Sequence, residues 1–293
     1  MADKDKPQNE DTGDLTLVEK IIHEGNMIND PSQSEYAKKM IGQFAGQVLD
    51  EGMVFYPDKG VVSMINERIA EIDKMIGDQL NEIMHDEKFQ NLEATWTGLR
   101  DMVFGTETST RLKLRLLNVG KSELLKDLET AVDYDMSVLF KKVYEDEYGT
   151  FGGNPFSMLV GDYYFGRHPQ DIALLEKISK VAAAAHTPFI AAANPALFDM
   201  KSFTELGTPR DLSKIFESAE LITWKAFRDS EDSRYTTLVL PRYAARLPYG
   251  SNTIPVESFV FEEDVDGKDH TKYLWGNSCY QLGLKITEAF AKY

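Results

Sequence analysis

Residues 155–193, PFSMLVGDYYFGRHPQDIALLEKISKVAAAAHTPFIAAA, decide the fold class of this chain. Pro155–Phe165 has the apolar composition of a buried strand, Pro169–Ala185 has the pattern of a helix, and Pro188–Ala193 reads as a second strand. Strands that alternate with helices in this way form an α/β layer around a largely parallel sheet.

The same alternation begins upstream at Arg111 and continues to the end of the chain. Leu112–Leu117 alternates apolar and basic residues, like a strand with one solvated face. Further elements are predicted as helices at Ser122–Leu128, Asp211–Ala219 and Leu274–Phe290, and as strands at Thr236–Leu240 and Ser258–Phe261. The expected fold is α/β with an N-terminal helical region, and a mixed, largely parallel sheet flanked by helices in a domain over residues 111–293.

A helical region is expected over residues 31–110 because two apolar stripes recur there at helical spacing. The first consists of Ile65, Ile69, Ile72, Ile76, Leu80 and Ile83, and the second of Phe89, Leu92, Trp96, Leu99 and Val103. The simpler interpretation is that each stripe faces the core of its own domain. The alternative is a seam with another polypeptide. Val48–Tyr56 is predicted as a short extended segment.

Residues 1–30 are expected to form a flexible acidic tail followed by a short helix. Asp14 is a suitable N-cap, Leu15, Val18 and Ile22 fall on one helical face, and Gly25 follows as a stop signal. A helix of about ten residues is marginal in water by itself, so we expect it to pack against another surface.

Charge and composition exclude several classes of function. Lys and Arg number 32 against 48 Asp and Glu, giving a net charge of −16, which disfavours binding to nucleic acid or to an anionic membrane. No apolar run approaches the length of a membrane helix, and no signal peptide is recognised at the start. Cys279 is the single cysteine, which is typical of a reducing compartment. A soluble, cytoplasmic protein is expected.

No catalytic, cofactor or metal site is predicted. Gly120-Lys121-Ser122 follows a predicted strand, but the first glycine of a phosphate-binding loop would have to stand at Arg115. The loop Gly149–Pro155 precedes a strand, whereas a dinucleotide-binding loop follows one. Neither His85, His168 nor His186 has metal-ligand spacing, and Glu145–Glu147 is interpreted as a solvated turn. We expect His168 to be a cap or a surface residue.

Several blocks, in order and over nearly all of residues 60–293, resemble one family: the large subunit of the bacterial type VI secretion contractile sheath (TssC/VipB family). The blocks are His85–Leu99, Arg115–Leu125, Phe140–Tyr144, Glu147–Phe165, Pro188–Leu197 and Leu240–Glu257. Members of this family extend well beyond the position of Tyr293, so the chain is expected to be truncated on the C-terminal side.

The resemblance implies a structural role without enzymatic activity. Its implied partners are the small sheath subunit, neighbouring sheath protomers, the inner-tube protein and a ClpV-type AAA+ unfoldase. A short N-terminal helix of the family docks to the unfoldase, and Leu15, Val18, Ile21 and Ile22 occupy its place here. The stripe Ile65–Ile83 is a candidate seam for the small subunit.

Two other functional classes remain open from the sequence. One is an α/β hydrolase or transferase that uses the region from Gly152 to Asp162. The other is an adaptor whose task is to present the Leu15–Ile22 helix to a partner.

Overall fold

The computed structural model describes Ile22 and residues 31–50, 61–208 and 211–292. The chain divides into two compact units, Met1–Arg68 and Ile69–Tyr293. In the first unit a 3₁₀ turn at Pro31–Gln33 leads into helix α1, Ser34–Asp50. Val48–Asp50 is therefore helical and not extended as predicted, and residues 51–56 lie outside the described residues.

Long helices precede the sheet, as the apolar stripes predict. Helix α2 spans Val61–Met84, and helix α3 spans Glu87–Gly105 after a short turn. Asp86 begins α3, because its side chain accepts hydrogen bonds from the backbone N–H groups of Lys88 and Phe89. Helix α4, Lys121–Thr130, and the three-residue α5, Val138–Phe140, follow, and α5 continues as a π-helix over Lys141–Tyr148.

The predicted parallel sheet is confirmed. Strand β1, Leu159–Phe165, pairs in parallel with β2, Phe189–Ala193, which in turn pairs in parallel with β3, Thr236–Val239. Helix α6, Pro169–Ala184, makes the crossover from β1 to β2. Every residue of β2 is buried, as expected for a central strand covered on both faces.

Alternate residues of β2 enter two different cores. Phe189 and Ala191 pack in a cluster with the buried side chains of α6, whereas Ile190 packs on the opposite face with Met102, Cys279 and Tyr280. The sheet therefore lies between α6 on one face and α3 with the C-terminal helix on the other.

The elements after β2 are shorter than predicted. Asp211 caps helix α7, which covers only Leu212–Ile215, and helix α8 is Ile222–Arg228. Strands β4, Tyr243–Ala244, and β5, Trp275–Gly276, form a small antiparallel pair. The C-terminal helix α9 is Ser278–Lys292, so its predicted start at Leu274 is wrong. Residues 275–276 pair with β4, and the side chain of Asn277 accepts from the Cys279 N–H at the first turn.

Two segments that were predicted as strands form no strand in the described chain. Ser258–Phe261 is irregular, and the segment that follows it is held by turn contacts such as the Glu263 N–H donating to the Tyr249 carbonyl at 2.9 Å. Leu112–Leu117 keeps its alternation but pairs with no described strand.

Candidate interaction surface

The Gly-Lys-Ser sequence is occupied by the protein's own side chains. Glu123 accepts from the Gly120 N–H at 2.8 Å, so a carboxylate already fills the N-terminus of α4. The Lys121 ammonium donates to the Tyr164 carbonyl at 2.7 Å and lies 2.6 Å from a carboxylate oxygen of Asp171. Lys121 thus joins α4 to the carboxyl end of β1 and to α6, and is not available to bind phosphate.

Asp162 and the glycine loop, the residues of the enzyme alternative, both have structural partners. One carboxylate oxygen of Asp162 accepts from the Thr95 hydroxyl at 2.7 Å, and the other accepts from the Asn277 amide at 2.9 Å. These bonds connect β1 to α3 and to the start of α9. Gly152 has a φ of +83°, and a side chain at Gly153 would strike the Glu147 carbonyl, so both glycines are required by the turn.

The remaining candidate groups are explained by local structure. His168 is the N-cap of α6, as predicted, and accepts from the Gln170 N–H at 3.3 Å. Glu147 pairs with Arg115, whose hydrogen bond lowers the pKa of that carboxyl. Burial raises the pKa of the Cys279 thiol, which disfavours the reactive thiolate. Within the described ranges, no three His, Cys, Asp or Glu side chains come together as a metal site would require.

A buried ion-pair network is the main feature that sequence reasoning missed. The Arg246 guanidinium donates to Glu93 at 2.6 Å and to Glu263 at 2.7 Å, and Glu263 also accepts from the Tyr249 N–H at 2.9 Å. His85 Nε2 lies 3.6 Å from a carboxylate oxygen of Glu263. Burial acts to lower the pKa of Arg246, but the bonds to both carboxylates outweigh it and raise that pKa. The network fixes the segment before β5 against α3; its partners are too distant in sequence to give a local signal.

Helix α2 has two opposite sides over Ile69–Met84. On one side Gly77 and Asn81 contact the segment 261–264: a Cβ at Gly77 would lie 3.6 Å from the Phe261 ring, and the Asp264 N–H donates to Asn81 at 3.0 Å. Lys74 and Asp78 lie within one turn of these residues on the same side, are exposed, and are named here the charged face. The opposite side is apolar and each of its members is between 41% and 56% exposed; we name it the α2 stripe: Ile69, Ile72, Met75, Ile76 and Ile83.

Helix α3 also turns its apolar stripe outward. Its packed residues are Gly98 and Met102, and a Cβ at Gly98 would lie only 2.4 Å from the Tyr280 ring of α9. The exposed residues, named the α3 stripe, are Phe89, Leu92, Trp96 and Val103, with Trp96 62% exposed. The expectation that both stripes face the core of their own domain is therefore wrong for most of their members. Their exposed apolar side chains make the two stripes the candidate contact surfaces of this chain.

Comparison with known proteins identifies the family to which this chain belongs. Residues 66–293 match the family model VipB, described as EvpB/VC_A0108, tail sheath N-terminal domain. The chain belongs to the VipB tail-sheath family. It is 49% identical over 234 residues to the type VI secretion system sheath protein TssC1 of Pseudomonas aeruginosa. That alignment covers 79% of this chain and 47% of the relative, so the chain spans about half the length of the curated relative that it matches.

Membership of the VipB family confirms the resemblance to the large subunit of the type VI secretion sheath. None of the helices in the described part of the chain is both long and apolar enough to cross a bilayer.

The structure describes only some of the contact residues that were predicted from the sequence. Leu15, Val18 and Ile21 lie outside the described residues, and Ile22 is helical and buried. Of the predicted seam, Ile65 lies in α2 but its side chain is not described, and Leu80 is half-buried. Ile69, Ile72, Ile76 and Ile83 share the exposed α2 stripe, together with Met75, which the sequence analysis did not include.

Proposed function

We propose that this chain is a structural component of the type VI secretion sheath that pairs with the small sheath subunit through the α2 stripe. The observation that carries the proposal is the row of half-exposed isoleucines on α2 in a member of a sheath family. In this account the pair assembles with neighbouring protomers, in the bacterial cytoplasm, into a helical tube around the inner-tube protein, and contraction of that tube drives the inner tube into a target cell.

The size of the apolar surface supports an interface larger than one helix. Fully burying an Ile or Met side chain stabilises by about 1.5–3 kcal/mol, so covering the exposed half of the α2 stripe would contribute roughly 5 kcal/mol. Association costs about 4–15 kcal/mol in lost freedom. The α2 stripe alone is therefore insufficient for a stable complex, and we propose that the α3 stripe contributes further contact area.

A matched pair of variants tests the pairing. Ile72→Glu with Ile76→Glu lowers the net charge by two and places carboxylates in the α2 stripe, whereas Lys74→Glu makes the same charge change on the charged face. The full chain is co-expressed with the small sheath subunit, and co-purification and light scattering report the complex. We expect the native chain and Lys74→Glu to form it, and the double variant to stay folded by circular dichroism but to remain alone. A double variant that pairs normally would remove the α2 stripe from the interface.

We further propose that Leu15, Val18, Ile21 and Ile22 dock to a ClpV-type unfoldase that recycles contracted sheaths. An apolar helix face is suited to recognition in a groove. Because Ile22 is buried in this structure, docking requires that it first become accessible. Val18→Asp with Ile22→Asp should abolish binding of the unfoldase N-terminal domain to the full chain, and Lys20→Asp, with the same charge change, should preserve it. Equal binding by all three proteins would contradict this assignment.

A further inference from the structure

The segment Lys113–Val119, named here the open segment, has the sequence of a strand but pairs with no strand in the described part of the chain. Its residues alternate as in a strand with one solvated face up to Leu116. None of its seven backbone N–H groups donates a hydrogen bond to any described residue. Backbone N–H groups of a regular element are normally paired, so this segment offers a row of N–H donors to which a further strand could bond.

Side chains nevertheless hold the open segment beside β1. At its start Lys113 donates to Asn154 at 3.1 Å, and the Arg115 guanidinium pairs with Glu147 and lies 5.4 Å from the centre of the Phe156 ring. At its end the Val119 carbonyl accepts from the Tyr163 hydroxyl at 2.8 Å. Both ends are anchored, so the open segment is already ordered and a partner strand would pay little further entropy to order it.

The middle of the open segment is apolar on both sides. Leu116 is 71% exposed and the adjacent Leu117 is 53% exposed. Successive side chains of a strand point to opposite faces, so two exposed neighbours place an apolar residue on each face. Strands covered on both faces have this composition, whereas an edge strand exposed to water normally carries charge or proline.

The surroundings also indicate the charge of the missing strand. Residues 111–121 contain Arg111, Lys113, Arg115 and Lys121 and no acidic residue, within a chain of net charge −16. Arg115 and Lys121 are already neutralised by Glu147 and Asp171. The positive charge left for an acidic partner is therefore that of Arg111 and Lys113, at the start of the segment.

We propose that the open segment binds an extended strand of another polypeptide in which apolar and acidic residues alternate. The partner adds to the sheet by backbone hydrogen bonds to the open segment, its apolar residues cover Leu116 and Leu117, and its carboxylates lie near the basic residues. The test does not involve the small sheath subunit or the α2 stripe, so its outcome is separate from that of the pairing experiment.

The probe is a nine-residue peptide that alternates valine and glutamate, added to the full chain at up to about 1 mM, a concentration that detects weak strand addition. Amide hydrogen exchange measured by mass spectrometry should show protection that is concentrated in residues 113–119. A valine–lysine peptide, and a valine–glutamate peptide N-methylated at alternate backbone nitrogens, should bind at least about tenfold more weakly. Absence of protection in 113–119, or equal binding of the N-methylated peptide, would overturn the proposal.

Proline substitutions give a second, independent readout. Adjacent N–H groups of a strand point to opposite sides, so only one of Leu116→Pro and Leu117→Pro removes a donor that faces the partner. Neither variant breaks a hydrogen bond described in the free chain, so both should keep its melting temperature. Each variant loses one leucine side chain, so the difference between the two isolates the backbone hydrogen bond, and we expect one variant to bind the valine–glutamate peptide about tenfold more weakly than the other. Equal effects of the two prolines would contradict strand pairing.

Discussion

Replacing Arg246 by Met should destabilise the chain more than any change to a single carboxylate of its network. Arg246 is 12% exposed and neutralises two carboxylates, of which Glu263 is only 2% exposed. Breaking a buried ion pair by removing one partner costs about 3–5 kcal/mol. Since Glu93 lies closer to solvent and recovers part of its hydration, we expect Arg246→Met to cost about 3 kcal/mol. Met retains the apolar part of the side chain, so lost packing contributes little.

Glu263→Gln removes one charge of the network and should destabilise the chain less than Arg246→Met. The glutamine oxygen still accepts from the Tyr249 N–H, and Arg246 keeps Glu93 as its counter-ion, so the expected cost is only about 1–2 kcal/mol. Arg234→Met is the control, because Arg234 is exposed and its ion pair to Glu231 is long, 3.9 Å; such a pair contributes less than about 1 kcal/mol.

Urea unfolding of the full chain, followed by circular dichroism, measures these differences. With a slope of about 3 kcal/mol per molar urea, Arg246→Met should lower the midpoint by about 1 M at unchanged slope, and Arg234→Met should lower it by less than about 0.3 M. If Arg246→Met costs no more than Arg234→Met, the network does not stabilise this part of the fold.

Three further predictions follow from the described packing. Gly98→Ala should destabilise the chain by about 1–2 kcal/mol, because its Cβ would overlap the Tyr280 ring. Gly77→Ala has room for a methyl group and should be neutral or stabilising. Thermal unfolding of both variants measures the difference. Burial raises the pKa of Tyr164 and Tyr280, so the contribution of each tyrosine to stability should be constant below about pH 10 and should fall above it by up to about 1.4 kcal/mol per pH unit, because the unfolded phenol ionises first. Tyr280→Phe should therefore make the loss of stability between about pH 10 and 12, measured by urea unfolding, less steep than in the native chain. Lys121→Met should lower stability by about 1–2 kcal/mol, and ATP should leave the melting temperature of the native chain unchanged, since this lysine is bound within the fold; an ATP-dependent rise in melting temperature would contradict that role.

Local pattern was sufficient for the sheet and for the existence of the long helices. Phe189–Ala193 is apolar at every position and is bounded by Pro188 and Asn194, so a buried strand followed from neighbours in sequence alone. The capping role of His168 was predictable for the same reason, because the signal is the adjacent Pro169.

The packed faces of the helices required information from distant residues. The α3 stripe looks like a core face by periodicity, but the residue that packs on Tyr280 is Gly98, which carries no hydrophobic signal. Arg246 and Glu93 are 153 positions apart, so nothing local indicates their pairing. Similarly, the alternation at Leu112–Leu117 predicted a strand, but the described chain has no strand there, because pairing depends on a partner that neighbours in sequence do not reveal.

Photo-crosslinking shows directly whether the α2 stripe contacts the small sheath subunit. Benzoylphenylalanine is placed at Ile76, within the stripe, or at Asp78, on the charged face, and each full-length variant is co-expressed with the small sheath subunit. We expect a crosslinked heterodimer from position 76 and none from position 78. Crosslinking from position 78 alone, or from neither position in a complex that co-purifies, would contradict it.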